Sequence, residues 1–433
     1  PERGTVYAVA QDHVRPDLLF AGTEFGAFVS VDEGQHWVQL DAGIPVIAVR
    51  DLEIQRREDD LVAVTFGRGF YVLDDYSPLR ELDSEGPEEA AQLFAPRRAF
   101  LFNESMELGY PGKGFQGDTF FNEKNPPYGA IATYYLPEGL ESLQDSRRKT
   151  EKEAEEAGES VSYPSWDELR AEDREKEPVV WLTVRDADGN VVRRVTGPTA
   201  KGFHRVAWDL RYPAAVPASL TPPGFQPFGS PPMGPAVAPG RYTMTLSQRI
   251  GGETTELAGP VEFEVEALGL GILEAEDRAA VLAFQRETAR LQRAVLGAAR
   301  TAGEVQNRID HLRVAARDTP DADVAWVDRL DALDIALDDL LIALRGDRTI
   351  SRRSEPTSPS IRSRVQQAIY GQWTSSSPPT ATHRRNVEIA AGAFGAVLDG
   401  LKSLVGELQT LEIEMEAAGA PWTPGRLPDW RPE

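Results

Sequence analysis

Cysteine is absent from the 433 residues, which excludes disulfides, thiolate zinc sites and cysteine nucleophiles together. The absence leaves the compartment open, since a cysteine-free chain suits the cytosol and the bacterial exterior equally. Histidine is scarce: His13, His36, His204, His311 and His383 fall in different expected elements with no metal-ligand spacing. Positive charge is short as well. With 46 Lys+Arg against 69 Asp+Glu the formal net charge is −23, a surface that repels phosphate backbones and anionic lipid, so no nucleic-acid partner is expected. No uncharged apolar run approaches the ~18–20 residues of a membrane span. The opening Pro1-Glu2-Arg3-Gly4 has no apolar h-region, so no signal peptide is expected there. Neither G-x-S-x-G nor H-E-x-x-H occurs, and the sequence points to no catalytic residue, no metal and no cofactor. What is present is the composition of a folded protein, 41% apolar and 27% charged. At ~100–200 residues per domain, the length implies two to four domains.

The first eighty residues repeat. Val6-Tyr7-Ala8-Val9 answers Val49-Arg50-Asp51-Leu52, Thr23 answers Thr65, and Gly26-Ala27-Phe28-Val29 answers Gly69-Phe70-Tyr71-Val72. The offset is 42 to 43 residues with one single-residue slip. Alternation and β-branched content predict strands at Val6–Gln11, Leu18–Gly22, Ala27–Val31 and His36–Leu40, then Ala48–Gln55, Leu61–Phe66, Phe70–Leu73 and a short one near Leu79–Leu82. Four strands in ~40–45 residues make a propeller blade. Two blades do not close a ring of ~4–8, so further blades are expected from upstream sequence of the same protein.

Between the third and fourth predicted strands lies Ser30-Val31-Asp32-Glu33-Gly34-Gln35-His36-Trp37, an S-x-D-x-G-x-x-W run. Asp32 is suited to accept backbone N–H bonds across the turn, Gly34 to take positive φ, and Trp37 to pack under the hairpin. The run resembles the Asp-box of sialidase-type and sortilin-type propellers, which implies a folding role for Ser30, Asp32, Gly34 and Trp37 rather than a catalytic one for Asp32. The second copy keeps Asp75, but Asp74-Asp75-Tyr76-Ser77-Pro78 has lost the rest.

A charged connector with Pro87 and Pro96 leads to strand-like Ala99–Phe102 and Ala130–Leu136. Between these strands, Gly112, Gly114 and Gly117 match G-x-G-x-x-G without the preceding strand and following helix that a dinucleotide cradle needs. Residues 137–178 are dense in charge and short of apolar groups, the pattern of an exposed helical hairpin or excursion. Strands resume at Val179–Arg185, turn at Asp186-Ala187-Asp188-Gly189-Asn190, and continue through Val191–Val195, Gly202–Asp209, Gly240–Leu246, Thr254–Leu257 and Val261–Val265. Asp186 and Asp188 lack the twelve-residue frame of an EF-hand loop. The block from Val184 to Tyr242 resembles the immunoglobulin-like domain of flagellar hook-cap proteins, which implies a spacer or adhesive module.

From Glu274 the period becomes three and four. Val281, Phe284, Thr288, Leu291, Val295, Ala298, Ala302, Val305, Ile309, Leu312 and Ala316 predict one long helix with a coiled-coil seam. Further helices are expected over Asp321–Arg345, Ile361–Tyr370 and Ala381–Ala418, giving an antiparallel four-helix bundle. The expected fold is therefore multidomain: two β-propeller blades (1–83), a connector with the first sandwich strands (84–136), a charged insertion (137–178), an Ig-like β-sandwich (179–268), a helical bundle (272–418) and a tail (419–433).

Leu19–Asp75 resembles the sortilin-like, bacterial neuraminidase-repeat family of large exported bacterial proteins. The residues that carry this are Phe20-Ala21-Gly22-Thr23-Glu24-Phe25-Gly26, the Asp-box, Val49-Arg50-Asp51-Leu52 and Thr65–Asp75, with Phe66 where the family more often has His. The resemblance implies an extracellular or periplasmic location and blades followed by a β-sandwich and a helical C-terminus. Sialidases gather three arginines at the ring centre, to which these blades contribute at most Arg50 and Arg68, the candidate binding residues. The expected function is non-catalytic binding or scaffolding that recognises a peptide or glycan. One alternative is the accessory part of a glycoside hydrolase whose catalytic residues lie in other blades. No pair among the 69 acids is singled out at the ~5–10 Å that glycoside cleavage requires. A second alternative is a subunit that docks on a larger assembly through the helical bundle.

Overall fold

The computed structural model describes residues 4–41, 43–83, 89–104, 117, 119–221, 231–271, 273–428 and 430. They divide into two compact units, one holding every named strand and the first two helices, the other the five later helices with residues 102–104, 211–221 and 231–238.

The first unit opens with an antiparallel sheet in the order β1 (Val6–Gln11), β2 (Leu19–Thr23), β3 (Gly26–Ser30), β4 (Val38–Leu40). A second sheet follows, β5 (Val49–Gln55), β6 (Asp60–Thr65), β7 (Phe70–Leu73). The repeat seen in sequence is a repeat of register. Val6 faces Thr23 and Val49 faces Thr65, and each first strand has its irregularity directly after that pair. The Thr23 hydroxyl donates to the Gly26 carbonyl at 3.1 Å and the Thr65 hydroxyl to the Gly69 carbonyl at 2.8 Å. Period-two alternation gives each sheet an apolar face, and Phe20, Ala27 and Val29 from the first, with Leu18 just before β2, pack against Val49, Leu52, Leu61 and Ala63 from the second and Tyr76 just after it. Gly22 permits the approach, since a Cβ there would stand 2.9 Å from the Val49 carbonyl oxygen. The expected fourth strand near Leu79–Leu82 does not form. A 3-10 helix spans Ser77–Glu81 instead, because Pro78 has no N–H for a ladder but fits the first turn of a helix.

The rest of this unit is a two-sheet sandwich. One sheet runs β12 (Val191–Gly197), β11 (Val179–Asp186), β14 (Gly240–Ile250), β15 (Glu253–Ala267), β9 (Ala99–Leu101), with β9 parallel to β15. The other runs β13 (Gly202–Trp208), β10 (Ala130–Leu136), β8 (Gln92–Phe94). Trp208 of β13 joins them, its ring 5.5 Å from Tyr242 and 6.2 Å from Phe263. Sequence reading split β15 in two at Pro260 and overlooked the three-residue β8. The strand continues past Pro260 with irregular pairing to β14, and three residues carry too little alternation to register. The charged insertion holds two helices, α1 (Leu143–Glu156) and α2 (Trp166–Arg174), each opened by a serine capping box. Arg147 ties them, bonding Glu151 at 2.7 Å and Glu172 at 2.6 Å.

The second unit contains α3 (Arg278–Arg317), α4 (Val324–Arg345), the single turn α5 (Arg348–Ser351), α6 (Ile361–Gln372) and α7 (Ala381–Ala417). Its packing corrects the expected four-helix bundle. Arg313 of α3 pairs with Asp331 and Asp334 of α4, and Gln306 with Asp334, so α4 runs antiparallel to α3. Gln285, two turns into α3, meets the last residue of α6. The helices α4 and α6 therefore follow one another along α3 as a single interrupted column. The third column, α7, runs parallel to α3: Phe284 packs with Val387 and Arg308 pairs with Glu412. The bundle has three columns because Gly346, Pro356 and Pro359 break the middle one without reversing it. On α7, Val387, Ala390, Phe394, Val397, Leu401, Leu404, Leu408, Leu411 and Met415 recur at steps of three and four and are all buried. An 18-residue window of α7 has mean hydropathy 1.4, long and apolar enough to cross a membrane by those measures alone. Its Phe394, Val397, Leu401 and Leu404 lie in the bundle core. The expected tail also joins that core through Ala420.

Candidate functional site

The two stacked sheets have distinct ends, set by register. One end carries the start of β1, the β2–β3 turn, the start of β5 and the β6–β7 turn; the other carries the end of β1 and the β3–β4 turn. The candidate residues separate accordingly, with Ser30, Asp32, Gly34 and Trp37 at the second end and Arg50 and Arg68 at the first.

At the β3–β4 turn the Ser30 hydroxyl donates to Asp32 Oδ1 at 2.7 Å and accepts the Gly34 N–H at 2.8 Å. Asp32 Oδ1 also accepts the His36 N–H at 2.9 Å, and the Trp37 indole N–H donates to the Gly34 carbonyl at 2.9 Å. Gly34 takes φ +88°. The His36 N–H and then the Ser30 hydroxyl hold the Asp32 carboxyl well below the usual carboxylate range. This carboxylate is committed to its own turn. Asp32→Ala is expected to release amide protection at Gly34 and His36 while leaving β6 protected, as hydrogen exchange would show; unchanged protection at the turn would refute the role. In the second copy, Asp75 accepts from the Ser77 hydroxyl at 2.6 Å and leads into the 3-10 helix.

At the opposite end, the Arg50 guanidinium lies 4.0 Å from the centroid of the Tyr7 ring and 5.2 Å from that of Phe66. Arg68 sits between Gly67 and Gly69 at the tip of the β6–β7 turn, exposed, with no hydrogen-bond or ion-pair partner among the described residues. The structure thus brings Arg50 and Arg68 to one rim, beside exposed Phe25 and Phe66. Cations and aromatic faces together suit anionic groups, peptide side chains and sugar rings.

Sequence reading missed a third, densely bonded cluster. Asp12, at the end of β1, is buried, and its carboxylate accepts from Arg80 Nε and Nη2, each at 2.8 Å, and from the Tyr76 hydroxyl at 2.6 Å. The Arg15 N–H adds a bond at 2.7 Å. Arg80 also reaches Asp59 at 2.6 Å. Burial opposes ionisation of Asp12, but the bonds from Arg80, Tyr76 and Arg15 outweigh it and hold the carboxyl far below its ordinary value. Burial, and then the same carboxylate, pushes the Tyr76 hydroxyl above its usual range. So engaged, Asp12 has no free lone pair for a substrate and serves as a brace between the sheets. Residues 68 apart in sequence form it, and no spacing rule exposes such a pair.

The other expectations resolve locally. Asp186 Oδ1 accepts the N–H groups of Asp188 at 3.1 Å and Asn190 at 2.9 Å across its hairpin turn. Gly112 and Gly114 lie outside the described residues. His311 is exposed, with Nδ1 2.7 Å from the Asn307 carbonyl oxygen. Among the described residues no group of three or more His, Cys, Asp or Glu is placed to hold a metal ion.

No family model and no curated protein matches this chain. Among solved structures, the extracellular domain of the one-component system BT4673 from B. thetaiotaomicron aligns at 10% identity over 61% of this chain and 25% of its own, with a TM-score of 0.15. The extracellular domain described as the hybrid two-component system BT4673 aligns at 10% identity over 61% and 26%, with a TM-score of 0.14. The chain spans about a quarter of the length of these two proteins.

Proposed function

We propose that this chain is a non-catalytic binding and scaffolding part of an exported bacterial protein, whose stacked sheets are sectors of a β-propeller that grips a peptide or glycan at the rim carrying Arg50 and Arg68. One observation carries the reading: the second sheet repeats the register of the first and covers one of its faces, yet on its own far face β6 and β7 hold an apolar strip open beside exposed Asp51 and Glu53 of β5. Val64, Phe66, Phe70 and Val72 are 41%, 67%, 70% and 46% exposed there. Contiguous exposed apolar surface of this kind marks an interaction face, and in a stack of like sheets the natural cover is a further sheet. The bonding of Ser30, Asp32, Gly34 and Trp37 is what an Asp-box turn requires, and it supports the same family and, through the family, a location outside the cytoplasm.

Peptide and glycan arrays probed with the whole chain test this. Binding that falls about tenfold or more in Arg50→Ala/Arg68→Ala supports it, the size expected when charge-assisted contacts are removed. Turnover of a bound glycan would replace it with the glycoside-hydrolase alternative, and ligands indifferent to both substitutions would move the site elsewhere.

A further inference from the structure

The interruption between α4 and α6 opens a cleft of about 800 Å³ on the second unit, within the size range of small-molecule sites. Leu296, Ala299 and Gly303 of α3 give it an apolar side. Four arginines line it: Arg300 and Arg308 from α3, Arg345 from the last turn of α4 and Arg362 from the first turn of α6. Two already have carboxylates. Arg308 is paired with Glu412 at 2.6 Å, and Arg300 lies 3.8 Å from Glu304, an exposed acid that lines the cleft as well. Arg345 and Arg362 have no carboxylate within ion-pair distance among the described residues, and Arg345 spends one N–H on the Ala299 carbonyl. Residues 345–364 hold six arginines against Asp347 and Glu355, a local net of +4 in a chain of net −23. Desolvation, then the like charges of Arg362 and Arg348, press the Arg345 guanidinium below its ordinary value.

An acidic chain that gathers unpaired guanidinium groups in a concave, half-apolar cleft has the donors for an oxyanion and leaves them unused. We propose that this cleft binds a small organic anion, with its carboxylate or phosphate group between Arg345 and Arg362 and its apolar body against Leu296, Ala299 and Gly303. Planar guanidinium forks recognise both kinds of oxyanion. The site is independent of the rim that carries Arg50 and Arg68.

Titration calorimetry of the full chain at low ionic strength, with benzoate, phenyl phosphate and uncharged phenol as probes, tests the proposal. Saturable binding of at least one anion but not of phenol is expected, and the tighter anion tells carboxylate from phosphate. Both side chains are exposed, so Arg345→Gln/Arg362→Gln should fold, with circular dichroism as the check and Arg362→Gln alone as the fallback. A loss of about tenfold or more in the double variant supports the site. Arg385→Gln, which removes an exposed arginine paired with Glu388, should bind as the unaltered chain does. No saturable binding of either anion, equal binding of phenol, or a smaller loss in the double variant overturns the proposal.

Discussion

Arg80→Met is expected to destabilise the first unit by about 3–5 kcal/mol, the range for removing one partner of a buried ion pair. The size follows from what is left behind. Asp12 has a fully buried side chain, while that of Arg80 is 15% exposed. Without the guanidinium, Asp12 keeps the Tyr76 hydroxyl and backbone N–H groups but loses its arginine, and Asp59 is left with His13 at 3.5 Å. The pair spans the two sheets, so the loss should be felt on both. Opening free energies from native-state hydrogen exchange at β1 and β6 amides would measure it, and a change under about 1 kcal/mol, the scale of a surface pair, would show that the brace is not structural. Asp12→Asn/Arg80→Met should cost less than the two single changes summed, because neither charge is then stranded. The pH dependence has a definite sign. A carboxylate depressed on folding contributes its stability above the unfolded value of about 3.9, and the contribution is lost as pH falls from there toward the folded value. The unaltered chain should therefore weaken below about pH 4, and Arg80→Met should show less of this acid sensitivity.

Trp208→Ala is expected to cost the sandwich about 3–5 kcal/mol, the range for emptying a large aromatic site in a core. Trp208 is 1% exposed and meets Tyr242 and Phe263 of the facing sheet. The site has little freedom to collapse, because the backbone is tight on the other side: a Cβ on Gly129 would fall 1.9 Å from the Trp208 carbonyl oxygen. Urea unfolding followed by near-ultraviolet circular dichroism would measure the loss. Trp166, on α2, is 70% exposed, and its replacement by Ala should change stability by less than about 0.5 kcal/mol. Equal effects at the two tryptophans would mean that the sheets are not joined through Trp208.

Much of the layout was written in short-range pattern. Alternation located most strands, and the repeat from Thr5 to Asp75 showed that two similar sheets should follow one another. The bonds around Asp32 all fall within five residues, which is why the run from Ser30 to Trp37 was readable as a turn. The steps of three and four from Val281 to Ala316 and from Val387 to Met415 marked two long helices and their buried faces.

What the amino-acid order determined by itself was thus local: element types, the repeat, the Asp32 turn and the switch from sheet to helix. Tertiary structure decided the rest. It placed Asp12 against Arg80, sent Arg50 and Arg68 to the end away from Asp32, and set α4 and α6 in one column so that Arg345 and Arg362 meet at its break. The physical reason is range. Periodicity records which face of an element avoids water over a few residues, whereas the partner of that face is chosen by packing between segments tens of residues apart, and no local pattern encodes that choice.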